Sequence, residues 1–129
     1  MTAYFPVSEK PGMVTAISIL TLISGITNIL IGIGVSAGVV VSTFGIGLLC
    51  IPLTILPIIL GIFEIIYAAQ LLPNPPKVIK LNTTIAILEL IAIVAGNVIS
   101  LVTGILVLIA QNDPDVKNYF AQLDSVNVY

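Results

Sequence analysis

Residues 12–72 read "GMVTAISILTLISGITNILIGIGVSAGVVVSTFGIGLLCIPLTILPIILGIFEIIYAAQLL", a run of 61 residues with a single charged side chain, Glu64. About 20 apolar residues in a helix cross the ~30 Å hydrocarbon core of a bilayer, so this run predicts two crossings. The stretch 35–47 is rich in glycine, serine and other small residues, and predicts the turn between them. We therefore expect one helix over about 12–35 and a second over about 48–72.

Prolines mark the irregular points of the second helix. Pro52 and Pro57 lie in its first half. Each removes a backbone hydrogen-bond donor, so we expect a kink or a loosened start there. The motif "PNPP" at 73–76 predicts where that helix ends.

A second apolar run, 78–111, contains only Lys80 and Glu89 as charged residues. As one helix it would extend roughly 51 Å, well beyond the hydrocarbon core. The turn dipeptide Gly96-Asn97 divides it instead into two short helices over about 78–95 and 98–111.

The composition indicates an integral membrane protein and argues against several other classes. Of 129 residues, 58% are hydrophobic and 8% charged, whereas soluble domains carry about a quarter charged residues. The chain has no histidine, only one cysteine (Cys50) and a net charge of −2. Metal binding, a cofactor, nucleic-acid binding and enzymatic catalysis are therefore not expected, because ligands, nucleophile–base pairs and basic patches are missing.

The lysines predict the topology. With four crossings, the N-terminal segment 1–11, the 73–80 loop and the tail 112–129 all lie on one side. That side then carries every lysine, namely Lys10, Lys77, Lys80 and Lys117. The positive-inside rule favours this arrangement, a multi-pass protein of the plasma or inner membrane with both termini cytoplasmic.

The tail after the last crossing predicts one more helix. Asp113 is a typical N-cap, and Pro114 suits the first helical position. Four apolar residues then share one face: Val116, Tyr119, Phe120 and Leu123. We expect a short amphipathic helix lying on the membrane surface.

Small and polar residues recur at helical spacing in each predicted span. In the first helix they fall at steps of three and four, from Ser18 to Gly32. Helices in lipid associate through close backbone approach and interhelical hydrogen bonds, so such stripes predict the faces of a four-helix transmembrane bundle over 12–111. The expected packing residues are Gly25, Asn28, Gly32, Gly34, Gly38, Gly61 and Gly104.

The segment "GIGVSAG" at 32–38 also has the glycine spacing of a nucleotide-binding turn. Such a turn follows a short strand, whereas this segment follows twenty apolar residues of predicted helix. The GxxxG formed by Gly34 and Gly38 instead suits packing, within the bundle or against a neighbouring copy.

Two glutamates lie inside predicted spans, Glu64 and Glu89. An ionisable side chain within a span costs at least ~2.5–3.5 kcal/mol on insertion scales, so both should face the bundle interior. Three roles stay open: neutral hydrogen-bonding residues that hold helices together, a proton or cation site, and a contact with a larger partner.

Three segments, "KPGMVTAISIL" (10–20), "LGIFEII" (60–66) and "GILVLIAQNDPDVKNYF" (104–120), are similar to a loose group of uncharacterised small prokaryotic four-helix membrane proteins. The resemblance implies an all-α membrane bundle and assigns no catalytic residue. We therefore expect a structural or accessory protein in the lipid bilayer that packs with itself or with a larger membrane complex. The alternative is a small proton- or cation-coupled transporter that uses Glu64 and Glu89.

Overall fold

A computed structural model describes residues 8–78 and 80–127 of the chain, without the side chains of residues 95 and 127. Within those residues all regular secondary structure is helical, which confirms the all-α prediction. The α-helices are α1 (Gly12–Ser42), α2 (Ile51–Thr54), α3 (Leu56–Leu71), α4 (Thr83–Ile91), α5 (Val98–Ala110) and α6 (Pro114–Asn127). Two 3-10 helices, Ile46–Cys50 and Ala92–Ala95, precede α2 and follow α4.

Helix α1 begins at Gly12 as predicted, but it continues to Ser42 instead of ending near residue 35. The small residues of 35–42 do not end it, since a glycine costs a helix only about 1 kcal/mol. In an apolar setting the helix also satisfies its own backbone groups. The chain reverses just beyond, where Phe44 (φ 52°) and Gly45 (φ 91°) adopt left-handed conformations.

The segment from 46 to 71 has the loosened start that its prolines predict. It opens as a 3-10 helix, continues as the short α2, and becomes regular only from Leu56. Pro52 and Pro57 lie in the first turns of α2 and α3, where their missing N–H groups need no helical partner. At its other end, Lys10 Nζ donates to the carbonyl oxygens of Leu71 (2.6 Å) and Leu72 (3.0 Å).

Helices α1 and α3 pack antiparallel and in close contact. A Cβ atom built on Gly25 would lie 2.7 Å from the carbonyl oxygen of Gly61, so the two backbones touch. Further along α1, the Ser36 hydroxyl donates to Thr54 Oγ1 of α2 at 2.8 Å. Only glycine at both close positions allows this approach.

Helices α4 and α5 form a short hairpin around the predicted Gly96-Asn97 turn. Helix α4 starts at Thr83 rather than near Val78, because Asn82 caps it by accepting a hydrogen bond from the Thr84 N–H (2.9 Å). Gly96 takes a left-handed conformation (φ 87°), and Asn97 caps α5. The hairpin packs on α1 through α5, which places the turn beside Asn28.

The hairpin covers only about half the length of α1. Helix α1 has 31 residues and is about 46 Å long, whereas α5 has 13 residues and is about 20 Å long. The turn residue Asn97 contacts Asn28, which lies about 24 Å along α1 from Gly12. We call the part with four packed helices the capped half, and the remainder, residues 33–58, the open half.

Helix α6 lies across the end of the capped half, its axis 74° from that of α5. Its apolar face is the predicted one, but the chain itself covers it. Val116, Tyr119, Phe120 and Leu123 are buried in the hydrophobic core. That core also contains Val14, Ile17, Leu71, Ile85 and Val107. The helix ends of the bundle therefore occupy this face, while the position of α6 at the membrane surface stays a prediction.

Two helical segments are long and apolar enough to cross a membrane, Gly12–Ser42 and Ile46–Leu71. Helices α5 and α6 would make a third candidate only if the bent pair were one span. The stretch Thr83–Val94 is apolar but shorter.

A candidate polar site inside the capped half

The interior of the capped half contains many polar side chains. Nine polar residues are buried there: Ser18, Thr21, Ser24, Asn28, Glu64, Glu89, Asn97, Ser100 and Thr103. The outer surface shows the reverse pattern, since isoleucine, leucine and valine are exposed all along the helices. Buried polar groups must find partners within the chain, because an unpaired one costs free energy.

Asn28 is the centre of this polar interior. Its Nδ2 donates to both carboxylate oxygens of Glu64, at 3.1 and 2.9 Å, and lies 3.2 Å from Ser100 Oγ. Its Oδ1 accepts a hydrogen bond from Asn97 Nδ2 at 2.8 Å. One amide side chain on α1 thus joins α3 and α5.

Asn97 holds the turn of the hairpin in this network. Its Oδ1 accepts from the Ser100 N–H at 3.2 Å, which caps α5. Its Nδ2 also reaches the carbonyl oxygen of Ser24 at 3.3 Å. The hydroxyl groups of Ser24 and Ser100 are bonded to each other, which ties α1 to α5 a second time.

The two intramembrane candidates, Glu64 and Glu89, are both fully buried but differ in their partners. Glu64 accepts from Asn28 through both oxygens. Neither carboxyl oxygen of Glu89 has a hydrogen-bond partner, and the same is true of Thr21 Oγ1 nearby. The two carboxyl groups are close enough to repel each other when charged.

The predicted packing glycines separate into two sets. Gly25, Gly32, Gly61 and Gly104 are buried, and an added Cβ at any of them would collide with a neighbouring helix. At Gly104, for example, it would lie 2.7 Å from the carbonyl oxygen of Ala86. Gly34 and Gly38 are exposed, with no atom within 4 Å of an added Cβ. They do not contribute to packing within this chain.

Sequence reasoning missed Ser24 as a partner in the network. It lies one helical turn before Asn28, on the same face of α1, so its spacing was a usable signal. The sequence predicts Asn97 as a turn residue, but its bond to Asn28 depends on the register of the hairpin.

Two surface depressions lie elsewhere, at the capped end. One, of about 510 Å³, is lined by Glu9, Asp113, Asp115 and Gln122 among others. A smaller one, of about 210 Å³, lies between Lys80 and Lys117. In the described part of the chain, no three histidine, cysteine, aspartate or glutamate side chains gather as metal ligands would.

Comparison of the chain with models of protein families, with curated proteins and with solved structures finds no match. The resemblance to small prokaryotic membrane proteins therefore stays a prediction from the sequence motifs.

Proposed function

We propose that the chain is a non-enzymatic integral membrane protein with a structural or accessory role, which packs with itself or with a larger membrane complex. The observation that carries this is the reversed distribution of side chains. Serine, threonine, asparagine and glutamate fill the interior, while apolar residues such as Leu30 (64% exposed) and Leu49 (84% exposed) face outward. An apolar outer surface of this kind is stable in contact with lipid tails, whereas its exposure to water is unfavourable.

The arrangement we propose in the bilayer has α1 and the segment 46–71 as crossings, with both termini cytoplasmic. The α4–α5 hairpin enters from the cytoplasmic side and turns near the middle of the membrane. This replaces the four full crossings that the sequence suggests. The short hairpin supports it, because helices of about 20 Å do not cross a ~30 Å hydrocarbon core. The internal bonds of Asn97 provide the polar partners that a turn needs at that depth.

The open half supports a role in assembly. Its side chains are largely uncovered, with Val41 76%, Phe44 98% and Ile46 75% exposed. Two helices alone bury little of each other, and large exposed apolar surfaces are typical of interaction sites or lipid contact. A further protein chain beside this half would complete a bundle along the full length of α1.

The test is the mass of the particle that carries this chain, extracted from its native membrane with its surrounding lipid and measured by native mass spectrometry. We expect either two or more copies or a second protein at fixed stoichiometry. A particle that contains one copy and no other protein at every expression level would contradict the accessory role. Membrane insertion itself would still stand in that case.

One observation favours a second candidate function, a small proton- or cation-coupled transporter. Glu89 and Thr21 are buried without partners, although natural interiors rarely leave such groups unpaired. The test is pH-driven flux in proteoliposomes, with Glu89→Gln and Glu64→Gln as variants. Loss of flux in a folded glutamine variant supports transport. Wild-type liposomes without flux of protons, sodium or lipophilic cations contradict it.

A further inference from the structure

The pair Glu89 and Thr21 differs from every other member of the polar interior. Both side chains have 0% exposure, and neither Glu89 Oε1, Glu89 Oε2 nor Thr21 Oγ1 has a hydrogen-bond partner. Thr21 is on α1 and Glu89 on α4, and the Thr21 hydroxyl faces the Glu89 carboxyl group across the two helices. Buried polar groups are normally hydrogen-bonded, so a fully enclosed pair without such bonds points to a functional role rather than a structural one.

The surroundings of Glu89 contain no positive charge. The titratable groups that face it come from α3, namely the carboxyl group of Glu64 and the phenol of Tyr67. Helices α1 and α5 carry no ionisable side chain, and all lysines lie outside α1 to α5. A second carboxyl group nearby and the absence of a cation both disfavour a carboxylate in an apolar interior, so the protonated form of Glu89 is the favoured one.

Glu64 shows what a structural glutamate looks like in the same interior. Both of its oxygens accept from Asn28, which is itself bonded to Asn97 and Ser100. A change in the protonation of Glu64 would disturb that whole network. A change in the protonation of Glu89 breaks no existing bond.

We propose that Glu89 and Thr21 form a proton-binding site, in which Glu89 carries one exchangeable proton and Thr21 supplies a hydroxyl to the carboxylate after the proton leaves. In the exchange the O–H bond of the carboxyl group breaks and the proton passes to a water molecule. This leaves the carboxylate and a hydronium ion. The proposal rests on the second candidate function and deepens it, because it assigns exchange to Glu89 and a structural role to Glu64.

Infrared spectroscopy of the protein in liposomes tests this, because the C=O stretch of a protonated carboxyl group is well separated from the carboxylate bands. We expect one such band that weakens as the pH is raised and shifts promptly in deuterated water. Glu89→Gln should remove it, and Glu64→Gln should retain it. Persistence of the titrating band in Glu89→Gln, or its absence from the wild type, would overturn the proposal.

Two further measurements separate a proton site from its nearest alternatives. Thr21→Val keeps the shape of the side chain but removes the hydroxyl, so the midpoint of the titration should move to higher pH; an unchanged midpoint excludes Thr21 from the site. Replacing choline by sodium in the buffer at constant pH and ionic strength should leave the band unchanged. Loss of the band in sodium would mean that the site binds a metal cation in place of the proton. The proton site fails if the titrating band is missing, whereas the transport function fails if flux is missing. The band can titrate without any flux, so the two failures are distinguishable.

Discussion

The capped half and the open half of the molecule both draw on small residues of α1, but their structures differ. On α1, the buried residues extend from Val14 to Gly32, and none of the residues 33–42 is buried. Both stretches contain glycine, serine and β-branched residues at helical spacing. What differs is the number of helices around them, because α4 and α5 pack beside the first stretch only. Small residues therefore become packing residues only where a second backbone is present to meet them.

Hydrogen bonding follows the same division. In the capped half, Asn28 links three helices through side chains that are fully buried. In the open half, the corresponding interhelical contact is the single bond between Ser36 and Thr54, which is partly exposed. We conclude that the capped half specifies the fold, while the open half depends on whatever surrounds it.

The largest expected effect comes from adding a side chain where two backbones touch. Gly25→Leu should prevent native packing, because even its Cβ would lie 2.7 Å from the Gly61 carbonyl oxygen, and overpacking of a core costs typically ~1–3 kcal/mol or more. Gly34→Leu is the matched control, with open space around it. Thermal unfolding in mild detergent measures the stability of both variants. Equal stability would contradict the division of the molecule into a capped and an open half.

A smaller effect is expected from removing the central amide. Asn28→Val leaves Glu64, Asn97 and Ser100 without their shared partner. Single hydrogen bonds between helices in membranes contribute about 0.6 kcal/mol and up to ~1.7, so loss of several should cost on the order of 1–3 kcal/mol. Ser36→Ala, in the open half, should cost less than about 0.6 kcal/mol. A reversed order in equilibrium unfolding would refute the central role of Asn28.

The smallest effect concerns the attachment of the N-terminal segment. Lys10 Nζ donates to backbone carbonyl groups at the end of α3. Burial lowers the pKa of this ammonium group, so part of its favourable interaction is offset by desolvation. Lys10→Met should therefore reduce the free energy of unfolding by only about 0.3–1 kcal/mol, the range for a cation near a helix C-terminus. A Lys77→Met variant serves as the charge-matched control and should be neutral.

Much of this fold could be predicted from local signals in the sequence. The proline-loosened segment, the Gly96-Asn97 turn and the capping of α6 by Asp113 all depend on residues close in the chain. The end of α1 was missed because glycine and serine do not stop a helix in apolar surroundings. The face of α6 was found, but amphipathicity identifies a face without saying whether lipid or protein covers it.

The depth of the hairpin could not be predicted from the lysines. A hairpin that crosses the membrane twice and one that turns halfway both return Lys117 to the side of Lys10, so the charge rule gives the same answer. The proposed hairpin that turns halfway is supported instead by the register between α5 and α1, which the bonds of Asn97 and Ser100 fix. That register is a long-range property and leaves no local signature.

Thiol accessibility in sealed cells tests directly whether the α4–α5 hairpin turns inside the membrane. Single cysteines are placed in a Cys50→Ser background. The positions are Phe44, at the open end and 98% exposed, and Val94, beside the hairpin turn and 89% exposed. Ser125→Cys, on α6, is the cytoplasmic control. We predict that an impermeant thiol reagent added outside labels only Phe44→Cys. After permeabilisation the reagent should also label Ser125→Cys. Val94→Cys should stay unlabelled under both conditions, because lipid surrounds it. Labelling of Val94→Cys from outside, as readily as Phe44→Cys, would mean that the hairpin crosses the membrane completely and would contradict the account.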